Sequence, residues 1–297
     1  MIASGILYTL LTALLWTGVS ACYRGAGKSG IPLLSLGLLI SFCITILSFL
    51  IVLPRLDSPF NTERLLPLIV VISLAGMLAQ SGMIMLARAM SLGHSAVTWV
   101  IVQSAIIVSF MFSIFFLHEP AKIHHICGVI VLIVSFGFHA RRSSGGTGCS
   151  GEHTFQWALL TGLSFLCVGG GQCLILQTAH WKDLGAEASL RIPISFCASG
   201  LLFAAVSFFK RVRPTGRVFR FALPMSAVIV AGQFTLYIAA DMMAGFNLAS
   251  VVFPVSIGGS ILGFALYSRI FLKEHFSKRT WVGIVLNTAA IVMLAVP

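Results

Sequence analysis

Long apolar runs, cut by short polar or charged breaks, make up the chain from end to end. A helix needs about 20 mostly apolar residues to cross a hydrocarbon core of about 30 Å, and the runs have this length. The pattern therefore predicts ten membrane-spanning helices. The expected spans are Ala3–Tyr23, Pro32–Leu53, Leu65–Ala87, Ala96–Leu117, Ile123–His139, Phe155–Thr178, Ser189–Phe209, Phe221–Ala240, Leu248–Phe271 and Thr280–Val296.

The composition explains why such runs belong in lipid. Hydrophobic residues make up 58% of the chain and charged residues 9%, whereas ordinary soluble domains carry about 25% charged residues. So few charges cannot coat a soluble globule, but helices in hydrocarbon satisfy their own backbone polar groups. The apolar run at Ile2–Ala21 is long enough to span and is interpreted as the first helix, not as a removable signal. We expect an all-α integral membrane protein.

The basic residues fall unevenly on the two sets of loops that alternate along such a chain. One set holds 14 of the 19 Lys and Arg residues, and the positive-inside bias assigns that set to the cytoplasm, with both termini outside. The net charge of +11 lies in short breaks between apolar runs, a distribution that does not favour nucleic-acid binding. Within the basic set, the segment Lys210–Arg220 has two possible interpretations. The preferred one is a topology signal, and the alternative is a site for anionic lipid headgroups.

An internal repeat appears when the chain is compared with itself at a displacement of about 154 residues. Because each half has an odd number of spans, the second half enters the membrane from the opposite side, which makes the halves inverted repeats. We predict halves at residues 1–140 and 154–297, joined by a Gly- and Ser-rich linker at 141–153. The matched landmarks are Ser41–Cys43 with Ser195–Cys197, Gln80 with Gln233, and Phe116–Glu119 with Phe271–Glu274.

A small-residue-rich span that ends in Leu-x-Glu, followed by a Gly-bearing apolar span, occurs twice, at His94–Phe138 and at Asn247–Leu294. This arrangement resembles the EamA-like transporters of the drug/metabolite transporter superfamily. The resemblance implies ten helices around a central cavity lined mainly by the first, third, fourth, sixth, eighth and ninth spans. It also implies a match between Arg191 and an arginine frequent in that family. Small multidrug relatives carry an acid in the first span, and no Asp or Glu occurs in spans one or six here, which disfavours exchange of protons for cationic drugs.

Polar and aromatic side chains inside the spans are the candidates for solute contact. Amides inside a span are costly to leave against lipid, so they face either a cavity or another helix. Both readings stay open for the four glutamines, and packing stays an alternative for the two tryptophans. The candidate solute-binding residues are Trp16, Gln80, Trp99, Gln103, Gln172, Gln233 and Tyr237.

Three further residues are candidates for gating. Arg88 and Asp241 correspond to each other when Gln80 and Gln233 are aligned, and either gate the pathway or end their helices at the interface with water. Pro254 stands 20 residues before Glu274, as Trp99 stands 20 residues before Glu119. Because proline frees backbone carbonyls inside a helix, Pro254 is a candidate hinge or cavity wall.

No pattern in the sequence calls for a cofactor, a metal or a catalytic nucleophile. The residues His118, Glu119, His124 and His125 match no strong zinc spacing. The sequence predicts a secondary transporter for an amino-acid-like or other small zwitterionic solute, multi-pass in the inner membrane, with solute and lipid as partners and a homodimer left open. The alternatives are a flippase of a lipid-linked headgroup, because some relatives move lipid cargo, and, less favoured, a membrane enzyme acting on lipids.

Overall fold

The computed structural model describes residues 2–55, 62–93, 95–118, 122–140, 151–179, 181, 189–244, 246 and 249–295. Within these ranges every regular element is a helix. The predicted linker lies outside the described residues up to position 150. Helix formation follows from the composition, because a helix pairs its backbone groups within one segment and leaves an apolar surface that lipid can solvate.

Eleven helices and one short 3₁₀ turn, Leu53–Arg55, are described. The helices are α1 (Ile2–Lys28), α2 (Leu33–Val52), α3 (Thr62–Leu92), α4 (Ser95–Gln103), α5 (Ile106–Phe116), α6 (Ile123–Ala140), α7 (Gly151–Ala179), α8 (Arg191–Phe209), α9 (Gly216–Ala244), α10 (Ala249–Ile270) and α11 (Lys278–Ala295). Each of the ten predicted spans coincides with one helix, except the fourth span. That span is two helices, α4 and α5, separated by a turn at Ser104 and Ala105.

By length and composition, eight segments are able to cross a membrane. The remaining two helices, α6 and α11, have 18 residues each. The protein is thus all-helical and multi-pass within the described residues. The eight segments are Ala3–Lys28, Leu33–Val52, Leu65–Leu92, Ser95–Phe116, Thr154–Thr178, Arg191–Phe209, Gly216–Leu236 and Val252–Ile270.

Apolar side chains cover the outside of the bundle. Leu7, Leu14 and Phe208 are 66%, 67% and 81% exposed, an arrangement that water would penalise and lipid accepts. Inside, many hydroxyl groups bond to the helix that carries them. Thr12 and Ser20, both buried, donate to the carbonyls of Tyr8 and Thr17 at 2.8 and 2.6 Å. Such local bonds remove the cost of burying a hydroxyl group.

Helices from the first half of the chain pack mainly against helices from the second half. The closest-packed pairs are α3 with α7, α1 with α9, α2 with α8, and α6 with α11. Small residues allow these close approaches, as is usual between helices in membranes. A methyl group at Gly128 of α6 would lie 3.1 Å from the carbonyl oxygen of Ala290 in α11, and one at Gly200 of α8 would lie 3.3 Å from Cβ of Ser41 in α2.

The break between α4 and α5 is held by a residue from the end of the chain. Asn287 of α11 is fully buried and donates from Nδ2 to the hydroxyl oxygens of Ser104 and Ser135, at 2.7 and 3.3 Å. Ser135 belongs to α6, so the α6–α11 pair supports the turn in the fourth span. By contrast, α10 runs without a break through Pro254, whose side chain is buried.

One end of the bundle collects the basic segments. The turn after α1 lies beside the beginning of α9, and the segment after α10 returns to α1 through an ion pair between Arg24 and Glu274. We call this end the basic face; it includes Arg24, Lys28, Lys210–Arg220 and Arg269–Arg279. These positions agree with the alternation of loops expected for the chain.

The close approach at Gly76 gives a test of the packing. A methyl group at Gly76 in α3 would collide with the carbonyl of Ser195 in α8, whereas nothing among the described residues lies within 4 Å of one at Gly162 in α7. Both substitutions to alanine favour a helix by about 1 kcal/mol, but overpacking at Gly76 costs roughly 1–3 kcal/mol. We expect Gly76→Ala to lower the melting temperature in detergent and Gly162→Ala to leave it unchanged or raise it. Equal melting temperatures would contradict the α3–α8 contact.

Candidate functional site

The first group of predicted site residues meets where α1, α9 and α10 pack. Trp16 of α1 is half-buried, and its ring lies edge-on to Phe253 of α10, with centroids 6.3 Å apart. A methyl group at Gly232 of α9 would lie 2.9 Å from the Trp16 ring. The indole thus fills the notch that Gly232 leaves in α9, next to the half-buried Gln233. The Trp16 ring is therefore packed against both α9 and α10.

The second group lies along α3 and α7. Gly171 of α7 lies against the Ala75 carbonyl of α3, 2.9 Å from where its methyl group would stand. Gln172 follows directly, is half-buried, and has its Oε1 atom buried without a hydrogen-bond partner. Gln80 of α3 is also half-buried and stands one turn from Gly76, which packs on α8. The two amides therefore sit on helices in direct contact.

One buried stripe of α4 carries two of the candidates, Trp99 and Gln103, together with Ser95. Ser95, Trp99 and Gln103 are four residues apart, so they share a face of the helix at intervals of about 6 Å. Trp99 is 1% exposed and packs edge-on against Phe264 of α10, with centroids 5.9 Å apart. Among the described residues, its Nε1 donor has no hydrogen-bond partner. A buried donor without a partner costs about 1–3 kcal/mol, so this N–H is a group for which a bound solute would be a favourable partner.

Among the described residues, none of the side-chain amides of the four predicted glutamines forms a hydrogen bond. Buried Asn287, by contrast, bonds to two hydroxyl groups, and most Ser and Thr hydroxyls bond to backbone carbonyls. The expectation that the glutamines join helices to one another therefore has no support in the contacts described. The glutamines are Gln80, Gln103, Gln172 and Gln233.

The structure gives fewer contacts for the predicted gating residues than for the other candidates. Arg88 is exposed near the end of α3, where its charge reaches water. Pro254 is buried in the first turns of α10, in the same helix as Phe253. Tyr237 and Asp241 lie in α9, but their side chains are outside what the structure describes.

A buried ion pair is the polar feature that the sequence did not single out. Arg24 was expected in a loop, but α1 continues to Lys28 and Arg24 is 5% exposed. Its Nη2 atom lies 3.7 Å from Oε1 of Glu274, and its Nη1 atom donates to the carbonyl of Met90 in α3. The same Oε1 accepts from the backbone N–H of Ser95 at 3.3 Å. The pair therefore ties α1, α3, α4 and the segment after α10 together at the basic face.

The ion pair and the candidate site share two helices. Arg24 follows Trp16 by eight residues in α1, and Ser95 precedes Gln103 by eight residues in α4. Eight helical residues rise about 12 Å, so the ion pair closes the basic face about 12 Å from the level of Trp16 and Gln103. The sequence does contain an indication of this pair. A buried arginine that continues an apolar helix needs an acidic partner, and the chain has only eight acidic residues.

The first half of the chain is similar to a known protein family. The model of the EamA-like transporter family matches residues 3–139. This part of the chain is therefore similar to EamA-like transporters. The resemblance inferred from the Leu-x-Glu and glycine pattern is confirmed, and the helices α1 to α6 are the EamA-like part of the chain.

Similarity to solved structures extends the fold comparison to the whole chain. Nineteen chains of solved structures match. One of them, titled only "Crystal structure of protein", covers 98% of this chain and 96% of its own length, with a TM-score of 0.59 and 15% identity. At that identity the likeness concerns the fold alone. No curated protein matches the chain.

The ion pair that begins in the EamA-like part gives a stability test. Replacing Arg24 by methionine keeps much of the apolar stem but leaves Glu274 buried without its cation, which costs about 3 kcal/mol. We expect Arg24→Met to lower the melting temperature strongly and the double variant Arg24→Met with Glu274→Gln to recover much of the loss. Thermal unfolding of the purified variants measures both. Additive losses in the double variant would show that the two charges are not coupled.

Proposed function

We propose that the protein is a secondary transporter that moves a small polar or zwitterionic solute, with amino-acid-like molecules as the leading class, by alternating access. The observation that carries this proposal is the set of four glutamine amides that form no hydrogen bond among the described residues, on helices of an EamA-like bundle. An amide inside a membrane bundle that binds no protein group is suited to bind cargo.

The chemistry of these groups selects the solute class. Each amide offers two donors and a carbonyl acceptor, and Trp99 adds an indole donor without a partner. Such groups bind carboxylate, ammonium, hydroxyl and amide functions without carrying a net charge themselves. The charge of Arg24 is already neutralised by Glu274. The combination favours a neutral or zwitterionic solute with polar ends over a highly charged one.

The two-fold arrangement of helix contacts supports the inverted repeat. Exchanging each span for its counterpart in the other half turns the α3–α7 pair into the α9–α1 pair, and both pairs are closely packed. The same exchange leaves the α2–α8 and α6–α11 pairs unchanged, as expected for pairs that lie on a pseudo-two-fold axis. The family match also ends at residue 139, one residue before the predicted end of the first half.

Hydrogen bonds at related positions give further support. Ser164 of α7 donates to the carbonyl of Gly82 in α3 at 2.7 Å, and Thr12 of α1 donates to Thr235 of α9 at 2.9 Å. Gly82 and Thr235 are separated along the chain by the same interval as Gln80 and Gln233. Each of these two helix pairs therefore carries a hydrogen bond from a hydroxyl group, to a backbone carbonyl in the α3–α7 pair and to a second hydroxyl group in the α9–α1 pair.

The Arg24–Glu274 pair supports alternating access with a closed basic face. In the repeat, Arg24 corresponds to Thr178, a neutral residue whose carbonyl accepts a hydrogen bond from Nη2 of Arg191 at 2.9 Å, so the two ends of the bundle are held by different contacts. We infer that transport requires the ion pair to open, which would release α1 from α3 and α4. The positive-inside bias assigns the basic face to the cytoplasm, with both termini outside and the protein in the inner membrane.

The direct test is flux into liposomes that contain the purified protein. A thermal-shift screen of amino acids, amines, nucleosides and sugars first identifies solutes that bind the native state, because such binding raises the melting temperature. Saturable, solute-specific uptake is the expected result. Stoichiometric binding without flux across the whole panel would overturn the proposal. Transport that needs a lipid tail on the cargo would instead favour the flippase alternative.

Removing one amide from each half should weaken solute binding. A hydrogen bond to a neutral partner contributes about 0.5–1.5 kcal/mol, so we expect Gln80→Ala and Gln233→Ala each to raise the dissociation constant about threefold to tenfold. Gln156→Ala is the matched control, because Gln156 is exposed at the beginning of α7. Isothermal titration with the solute found in the screen measures the change. Unchanged affinity in both cavity variants would remove these amides from the site.

Opening of the basic face can be followed at Ser95, which is fully buried and whose backbone N–H bonds to Glu274. In a cysteine-free background, we expect Ser95→Cys to react slowly with a membrane-impermeant thiol reagent. Adding Glu274→Gln weakens the ion pair and should raise the rate at least tenfold, because a loss of about 1.4 kcal/mol changes an opening equilibrium by that factor.

A second reporter, Ser164→Cys, serves as the control for this experiment. Ser164 is equally buried but lies on the α7–α3 contact away from the basic face. Its labelling rate should not change when Glu274 is replaced. Equal acceleration at both positions would mean general loosening of the bundle and would contradict a gate at the ion pair.

A further inference from the structure

A cavity at the basic face is separate from the candidate solute site. It has a volume of about 740 Å³ and lies between the turn at 29–32, which joins α1 to α2, and the beginning of α9 at 215–220. The candidate solute residues lie deeper in the bundle and none of them lines this cavity. The proposed solute binding therefore does not explain this cavity.

The chemistry of the cavity is cationic. Arg217 and Arg220 line it, and neither arginine forms an ion pair or a hydrogen bond among the described residues. Neither of the two lining segments contains an acidic residue. Arginine binds phosphate through two parallel N–H donors, and two arginines three residues apart point to the same side of a helix. The arrangement suits an anionic phosphate group.

The surface next to the cavity is apolar and faces lipid. Arg217, Arg220 and Leu223 follow one another at intervals of three residues, so they form one ridge of α9. Leu223 is 58% exposed and Phe219, beside it, 46%. The membrane-spanning part of α9 begins at Gly216, which places the cavity at the edge of the membrane. A phosphate in the cavity would thus be continuous with an apolar surface suited to acyl chains.

We propose that this cavity binds the phosphate group of an anionic glycerophospholipid, with the acyl chains against the ridge that continues through Leu223. Arg217 and Arg220 hold the headgroup, as basic pockets at membrane surfaces do for anionic lipids. The lipid bridges the α1–α2 turn and α9, which also touch one helical turn deeper, where a methyl group at Gly25 would lie 3.6 Å from Phe221. The inference rests on the cavity and does not depend on the proposed transport.

The test measures lipid binding to the purified protein. Native mass spectrometry counts bound lipid when dioleoyl phosphatidylglycerol or dioleoyl phosphatidylcholine is added in detergent, and thermal shift records the stabilisation. We expect phosphatidylglycerol to bind and to raise the melting temperature. In the double variant Arg217→Ala with Arg220→Ala, its apparent affinity should fall at least tenfold. Both arginines are exposed, so the variant should melt normally without lipid.

A charge-matched control separates a defined site from general attraction. Lys278→Ala with Arg279→Ala removes the same charge from exposed positions of α11 at the same face and should leave the affinity within twofold of the wild type. Equal losses in the two double variants would overturn the proposal in favour of diffuse electrostatics. A soluble-anion site would be indicated, and the proposal also overturned, if inorganic phosphate at millimolar concentration stabilised the protein as well as the lipid does. None of these readouts requires flux.

Discussion

The contact between Arg24 and Glu274 holds one end of the bundle together. Each charge is buried, so either one alone would be costly, and together they also satisfy the carbonyl of Met90 and the N–H of Ser95. Four separate segments of the chain are thereby fixed at one end.

The other polar groups of the interior form two sets. Some form hydrogen bonds within the protein, and others have no hydrogen-bond partner among the described residues. Hydroxyl groups bond to nearby carbonyls, and Asn287 supports the turn at Ser104. Among the described residues the four glutamine side chains form no hydrogen bond; Gln103 is buried and the other three are half-buried. The proposal that the interior receives a polar molecule rests on these amides of α3, α4, α7 and α9.

Most of the architecture could be predicted from the sequence because crossing a membrane needs a long apolar run, and such runs are visible. The predicted spans agree with the helices, but the first ends at Lys28 and not at Tyr23, because the charge of Arg24 is neutralised by a residue distant in sequence. The break at Ser104 has no proline, and its hydroxyl accepts a hydrogen bond from Asn287. Pro254, by contrast, lies within an unbroken helix. Local sequence patterns do not show contacts between residues that are distant in the chain.

The bond between Asn287 and Ser104 has a consequence for the making of the protein. Its partners are 183 residues apart, and ribosomes add about 5–20 residues per second. For roughly 10 to 40 seconds after the fourth span is synthesised, its Ser104 turn has no Asn287 to bind. During that interval the nascent chain must keep this turn with other partners or as a plain helix. The fourth span thus reaches its final contacts only after the last span has been synthesised.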